Sequence, residues 1–129
     1  MMYLLDTSAF IWFVDGDSQL SGAARQCIEN SENTVFISII SLWEIVIKQR
    51  LNKLDFSADV SQMILDIQTM DAHLLGLKSH HLQFLETLQS PPSHKNPFDR
   101  LLISQALADS LSIVSNDRKF SLYPVSLIW

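Results

Sequence analysis

The sequence predicts an α/β domain built on a parallel sheet with helices on both faces. Three observations carry this reading. Short apolar, β-branched runs alternate along the chain with segments of helical period. The 129 residues fit a single domain, 1–129, large enough for a core that needs no staples. No internal repeat, low-complexity tract or linker interrupts the alternation.

Taken in order, Met2 to Leu5 is a short apolar run ending at an acid, which reads as a buried strand. Thr7 to Val14 reads as an apolar helix closed by the turn Asp15-Gly16-Asp17. Ser21 starts a helical segment to about Asn30, with Ala24 and Ile28 on one face. Val35 to Ser38 is β-branched and aromatic, hence a second strand. Ser41 starts a helix to about Leu51, and Ser41 with Glu44 matches a capping box. Asp59 to Gln68 is a further helix, with Val60, Met63, Ile64 and Ile67 in register. His73 to Leu77 is a weak strand. Ser79 to Leu88 is a helix with Leu82, Leu85 and Leu88 together. Gln89 to Asn96 is a loop, Pro97 to about Asp109 a strong helix, and Ser112 to Ser115 and Val125 to Ile128 the closing strands.

Composition excludes several classes. The hydrophobic share of 47% and charged share of 18% belong to a folded chain, not a disordered one. One cysteine, Cys27, permits no disulfide within the chain and points to the reducing cytoplasm. The N-terminal stretch has no basic region before its apolar residues, so it reads as strand and helix, not as a signal peptide. No apolar run reaches the roughly 18 residues of a membrane span. Three glycines and no Gly-rich loop argue against dinucleotide and P-loop enzymes. The net charge of −5 is awkward for a protein that binds nucleic acid. An acidic cluster neutralised by a divalent cation, with unevenly placed basic residues, resolves the conflict.

The acids divide on position. Asp6 follows the first strand, where a carboxylate can cap the next helix and where ligands bind in open α/β sheets. Glu44 shares a helix stripe with Ile40, Ile47, Lys48 and Leu51, a mostly apolar face on which a carboxylate needs a partner or a metal. Asp99 is at the third position of a helix that Asn96 caps and Pro97 opens, which alone explains an acid there. Ile103 and Ala106 on the same face nevertheless turn it inward. Asp117 follows the strand Ser112 to Ser115. Two acids after strands and two in first helical turns can converge on one edge of a parallel sheet. The remaining acids, Asp109 among them, read as solvated. His80, His81 and His94 show no metal-ligand spacing with one another or with Cys27, so zinc is not expected, and all four histidines, His73 included, read as surface or loop residues. Trp12, Trp43 and Trp129 lie among apolar neighbours and read as core.

The strings LLDTSAF, SLWEIVIK, NPFDRLLISQA and SNDRKF, in this order and followed by YPVSLIW, resemble the PIN-domain family, and within it the VapC-like toxins of bacterial toxin–antitoxin pairs. The resemblance spans essentially the whole chain. It implies a three-layer α/β/α sandwich and endoribonuclease activity with Mg²⁺ or Mn²⁺. Asp6, Glu44, Asp99 and Asp117 match the family's acidic positions; of these, Asp6, Asp99 and Asp117 are the expected metal ligands, and Glu44 is expected to bind a second metal or to position the nucleophile. Ser115 matches a small hydroxyl position that helps order the site, and Thr7 adjoins it. Asn96 departs from the pattern, since similar toxins often carry Asp there, but it keeps the cap. The resemblance further implies a small antitoxin partner and a homodimer.

Hard oxygen ligands suit Mg²⁺ or Mn²⁺, which would activate a water for attack on an RNA phosphodiester. Lys48, Lys95, Arg100, Arg118 and Lys119 flank the acids and are candidate phosphate contacts. Two rival readings are a phosphoryl-transfer enzyme of receiver or phosphatase type and a binding module whose acids are only caps. The first needs an aspartate nucleophile with a lysine or a second aspartate, and Asp6-Thr7-Ser8 lacks the latter. The second would ignore divalent metal.

Overall fold

The computed structural model describes residues 1–129. Five strands form one parallel sheet: β1 (Met2–Leu5), β2 (Thr34–Ser38), β3 (His73–Leu75), β4 (Ser112–Val114) and β5 (Leu127–Ile128), in the order β3-β2-β1-β4-β5. Six α-helices connect or flank them: α1 (Thr7–Asp15), α2 (Gly22–Glu29), α3 (Ile39–Arg50), α4 (Val60–Thr69), α5 (Ser79–Glu86) and α6 (Pro97–Ala108). A 3₁₀ helix, Arg118–Leu122, follows β4.

The two faces of the sheet bury different side chains, as a two-residue period requires. Tyr3 and Leu5 of β1, Val35 and Ile37 of β2 and Val114 of β4 join the core beneath α1 to α4. Leu4 and Ile113 point the other way, into a core completed by Leu102, Ile103 and Ala106 of α6 and by Phe120 and Tyr123. Helix layers on both faces make the predicted three-layer α/β/α sandwich.

β1 is the central strand. The chain leaves it for β2 on one side and returns as β4 on the other. The gap between the carboxyl ends of β1 and β4 is therefore the topological switch point, where open α/β sheets leave a crevice. The ladder runs one residue past β1, since the Asp6 N–H donates to the Val114 carbonyl at 3.1 Å. That bond draws Asp6 alongside Ser115.

Several expectations need correction. The helix after β2 starts at Ile39 and is capped by Ser38, whose hydroxyl accepts from the Ile40 N–H, so Ser41 and Glu44 form no capping box. Glu44 lies in the second turn of α3, not the first. The third strand and the helix after it are shorter than predicted, and the fully buried residue of α5 is His81, while Leu82 faces out. The last strand starts at Leu127, two residues late. Trp43 is half-exposed and stacks edge-on against Phe98, and Trp129, also partly exposed, packs edge-on against Trp12. No tryptophan is fully buried, because these rings cover the rims of the sandwich.

Candidate active site

Asp6 is the anchor. Its backbone is extended, and its Oδ1 accepts from the Ala9 N–H at 2.8 Å, so it caps α1 as expected. Its Oδ2 accepts from the Ser115 hydroxyl at 2.5 Å. The same Ser115 Oγ accepts from the Asp117 N–H at 3.0 Å, which ties the loop after β4 to the end of β1. Burial raises the Asp6 carboxyl from 3.8 to about 6; the Ser115 and Ala9 hydrogen bonds oppose this, and the charges of Asp99 and Asp117 reinforce it.

Asp99 is the third residue of α6. Asn96 caps that helix through the Phe98 and Asp99 N–H groups, and Pro97 pre-sets its first turn. Burial pushes the Asp99 carboxyl up, a hydrogen bond from His94 pulls it down, and Glu44 and Asp117 push it up again. Asp117 accepts from the Lys119 N–H at 3.0 Å and opens the 3₁₀ helix. Glu44 is nearly buried, and both its oxygens are engaged: Oε1 is 2.6 Å from the Thr7 hydroxyl and Oε2 is 2.6 Å from Lys48 Nζ. Thr7 Oγ1 is also 3.0 Å from Ser41 Oγ; its single proton belongs on the carboxylate, leaving Ser41 to donate to it.

Four acids from four segments thus feel one another across the switch point, although no three of them bring oxygens within 4.8 Å. The donor chemistry fits a hard divalent cation. Asp99 Oδ1 and Asp117 Oδ2 have no hydrogen-bond partner in the protein, and each Asp6 oxygen accepts one bond and keeps a lone pair. Glu44, already doubly satisfied, acts first as a strut between α1 and α3.

Of the basic residues, Lys48 is committed to Glu44, and the Arg100 Nε donates to the Ser90 hydroxyl at 2.9 Å. Lys95, Arg118 and Lys119 are exposed. Arg118 and Asp117 line a cleft of about 270 Å³ with Ser115, Asn116, Ser121, Leu127 and Trp129. The largest concavity, about 520 Å³, lies elsewhere, between Val14 and Asp66. Its volume carries no weight against the convergence of charge at the switch point.

Two histidines overturn the surface reading. His94 is buried, with Nδ1 2.5 Å from the Tyr123 hydroxyl and Nε2 3.3 Å from Asp99 Oδ2. His81 is fully buried, and Asp109, expected to be solvated, bridges it to His80 at 2.8 and 2.7 Å, with its own carboxyl held below the usual range by those partners despite some burial. His80, His81 and Asp109 are close enough to surround a cation. His81 Nδ1, however, accepts from the Lys78 N–H at 3.0 Å. Its neutral ring proton must then be on Nε2, facing Asp109, and a metal there would require an imidazolate. This cluster pins α5 to α6. A hydrophobic periodicity flags neither histidine, because each is buried by a partner distant in sequence.

The profile described as PIN domain matches residues 3–125 of the chain. No curated protein sequence matches it. Solved structures that share the fold include three toxin–antitoxin complexes. VapBC2 from Rickettsia felis, bound to a DNA fragment from its promoter, is 18% identical over 98% of this chain and 97% of that chain, with a TM-score of 0.64. A toxin–antitoxin complex from Klebsiella pneumoniae is 16% identical over 98% and 96%, with a TM-score of 0.65. VapBC-1 from nontypeable Haemophilus influenzae is 17% identical over 98% and 96%, with a TM-score of 0.67. At these identities the structures speak to architecture, while the profile, which spans all but the ends of the chain and takes in Asp6, Glu44, Asp99 and Asp117, speaks to descent: the chain belongs to the PIN-domain family.

Proposed function

We propose that this protein is a divalent-metal-dependent endoribonuclease, the toxin member of a toxin–antitoxin pair, acting in the cytoplasm on RNA phosphodiesters. One observation carries the reading. Asp6 is nine-tenths buried and still lies within the field of Asp99 and Asp117, two acids from different elements. Buried carboxylates gathered within reach of one another cost stability until a cation relieves their repulsion, and groups perturbed in this way concentrate at functional sites.

Asp6, Asp99 and Asp117 are the candidate ligands for Mg²⁺ or Mn²⁺, and Ser115 and the α1 cap orient Asp6 for that purpose. When bound, the cation would supply the acidified water and the charge that a phosphodiester requires. Glu44 fixes the approach of α1 to α3 through Thr7, while Lys48 of its own helix balances its charge. Lys95, Arg118 and Lys119 are candidate phosphate contacts, and Lys48 and Arg100 become available only by leaving their present partners. The structural likeness to VapBC complexes supports a small antitoxin as partner and motivates a search for a homodimer. A segment with a basic side chain is the natural inhibitor of an acidic crevice in a chain of net charge −5.

The test is cleavage of a mixed RNA substrate with Mg²⁺, Mn²⁺ or EDTA by wild type and Asp6→Asn. Metal-dependent cleavage lost in the variant supports the proposal; cleavage that survives EDTA or the substitution refutes it. A metal-independent binding module is the second reading, favoured because no three of these carboxylates bring oxygens within 4.8 Å of one another. RNA binding without cleavage or metal response would select it.

A further inference from the structure

His94 is buried, and it touches a candidate ligand, Asp99. It comes from the loop before α6. Its Nδ1 meets the hydroxyl of Tyr123, which lies beyond the 3₁₀ helix and is itself buried. Its Nε2 meets Asp99 Oδ2 at 3.3 Å, and the two rings are edge-on at 5.3 Å between centroids.

Proton accounting favours one arrangement. If the Tyr123 hydroxyl donates to Nδ1, the ring proton is on Nε2 and points at the Asp99 carboxylate, so every polar contact is satisfied. If instead Nδ1 carries the proton and donates to the tyrosine oxygen, an Nε2 lone pair faces a carboxylate lone pair. In the doubly protonated ring the tyrosine becomes an acceptor, and its hydroxyl proton has no other hydrogen-bond partner in the protein. The donor chain therefore runs from Tyr123 to His94 to Asp99. It engages Oδ2 of Asp99 and leaves Oδ1 with no hydrogen-bond partner in the protein, in a carboxylate that feels the charges of Glu44 and Asp117.

We propose that His94, fixed by the Tyr123 hydroxyl as the Nε2-protonated tautomer, is a positioning residue that sets the orientation of the Asp99 carboxylate in the acidic crevice. This rests on the metal-site reading above. Ligating carboxylates are commonly held by such outer hydrogen bonds, whose loss lowers metal affinity about 10-fold to 100-fold.

Two measurements test it. Long-range ¹H–¹⁵N NMR of the metal-free protein reads the ring tautomer directly. The Nε2-protonated form is expected for His94 in wild type, and Tyr123→Phe should shift it towards the other form or a mixture. Electron paramagnetic resonance then gives the Mn²⁺ dissociation constant without reference to cleavage. His94→Ala should weaken Mn²⁺ about 10-fold. His94→Gln, whose amide nitrogen can stand where Nε2 stands, should restore most of the loss. If His94→Ala does not fold, Tyr123→Phe, which removes one oxygen atom and keeps the ring, should still weaken Mn²⁺.

An Nδ1-protonated ring in wild type overturns the inference. So do equal losses in His94→Ala and His94→Gln, which would indicate packing alone, and so does wild-type affinity in Tyr123→Phe. Wild type that binds Mn²⁺ while His94→Ala binds it equally overturns only this inference. Wild type that binds no Mn²⁺ overturns the reading of the site and this inference with it.

Discussion

Asp6→Asn should stabilise the metal-free protein at pH 8 while silencing its site. The Asp6 carboxyl is raised from 3.8 to about 6, by burial first and then by Asp99 and Asp117, against the Ser115 and Ala9 hydrogen bonds. A rise of about two units corresponds to roughly 3 kcal/mol between the two protonation states. The folded protein holds this proton more tightly than the unfolded chain. Its stabilising contribution is complete below about pH 4 and is lost as pH rises through about 6. At pH 8 the fold therefore carries a charged, buried Asp6 at that full cost. Asparagine has no charge to desolvate and can still cap the Ala9 N–H, but its amide nitrogen cannot accept from the Ser115 hydroxyl, which strands that buried donor at about 1 to 2 kcal/mol. The balance is a gain of about 1 to 2 kcal/mol, or roughly 3 to 8 °C in Tm for a chain of this length. At pH 4.5, where Asp6 is already protonated in the fold, most of the gain should vanish. Thermal and urea unfolding in EDTA from pH 4.5 to 8 measure it. A variant less stable than wild type at pH 8, or one whose gain is independent of pH, would refute the electrostatic account of the site.

Other perturbations separate ligand, strut and scaffold. Millimolar Mn²⁺ should raise the wild-type melting temperature by several degrees, because a ligand of the folded state alone stabilises it, and the rise should disappear in Asp6→Asn. Asp117→Asn should lower Mn²⁺ affinity in a titration yet leave the urea midpoint in EDTA nearly unchanged, since Asp117 is only partly buried. Lys48→Met should lower unfolding free energy by about 1 to 2 kcal/mol, because it strands the nearly buried Glu44 with Thr7 as its sole partner. Gln105→Leu should lower it by about 2 kcal/mol, with an unchanged urea m-value. The buried Gln105 accepts from the Ser38 hydroxyl and donates to the Gly76 carbonyl, pinning α6 across the ends of β2 and β3.

The α/β architecture was legible from local periodicity. Met2–Leu5 and, in the fourth strand, Ile113 and Val114 are apolar because both faces of a parallel sheet are covered, and the helical stripes mark what covers them. Asp6, Asp99 and Asp117 were legible as a group because strand ends and capped helix starts are defined by neighbouring residues. The extent of the third strand was less so, since the apolar run continues to an exposed Leu77 while the strand stops at Leu75.

Local sequence determined which acids end strands or open helices, because caps, turns and side-chain period act over a few residues. Tertiary structure alone decided what those acids meet. Ser115 reaches Asp6 from 109 positions away, Glu44 is held by Thr7 from 37 positions away, and His94 and Tyr123, 29 apart, close on Asp99. Such pairings arise only when parallel strands bring distant segments side by side, and burial then changes the protonation of a carboxylate that in the unfolded chain would be an ordinary exposed acid.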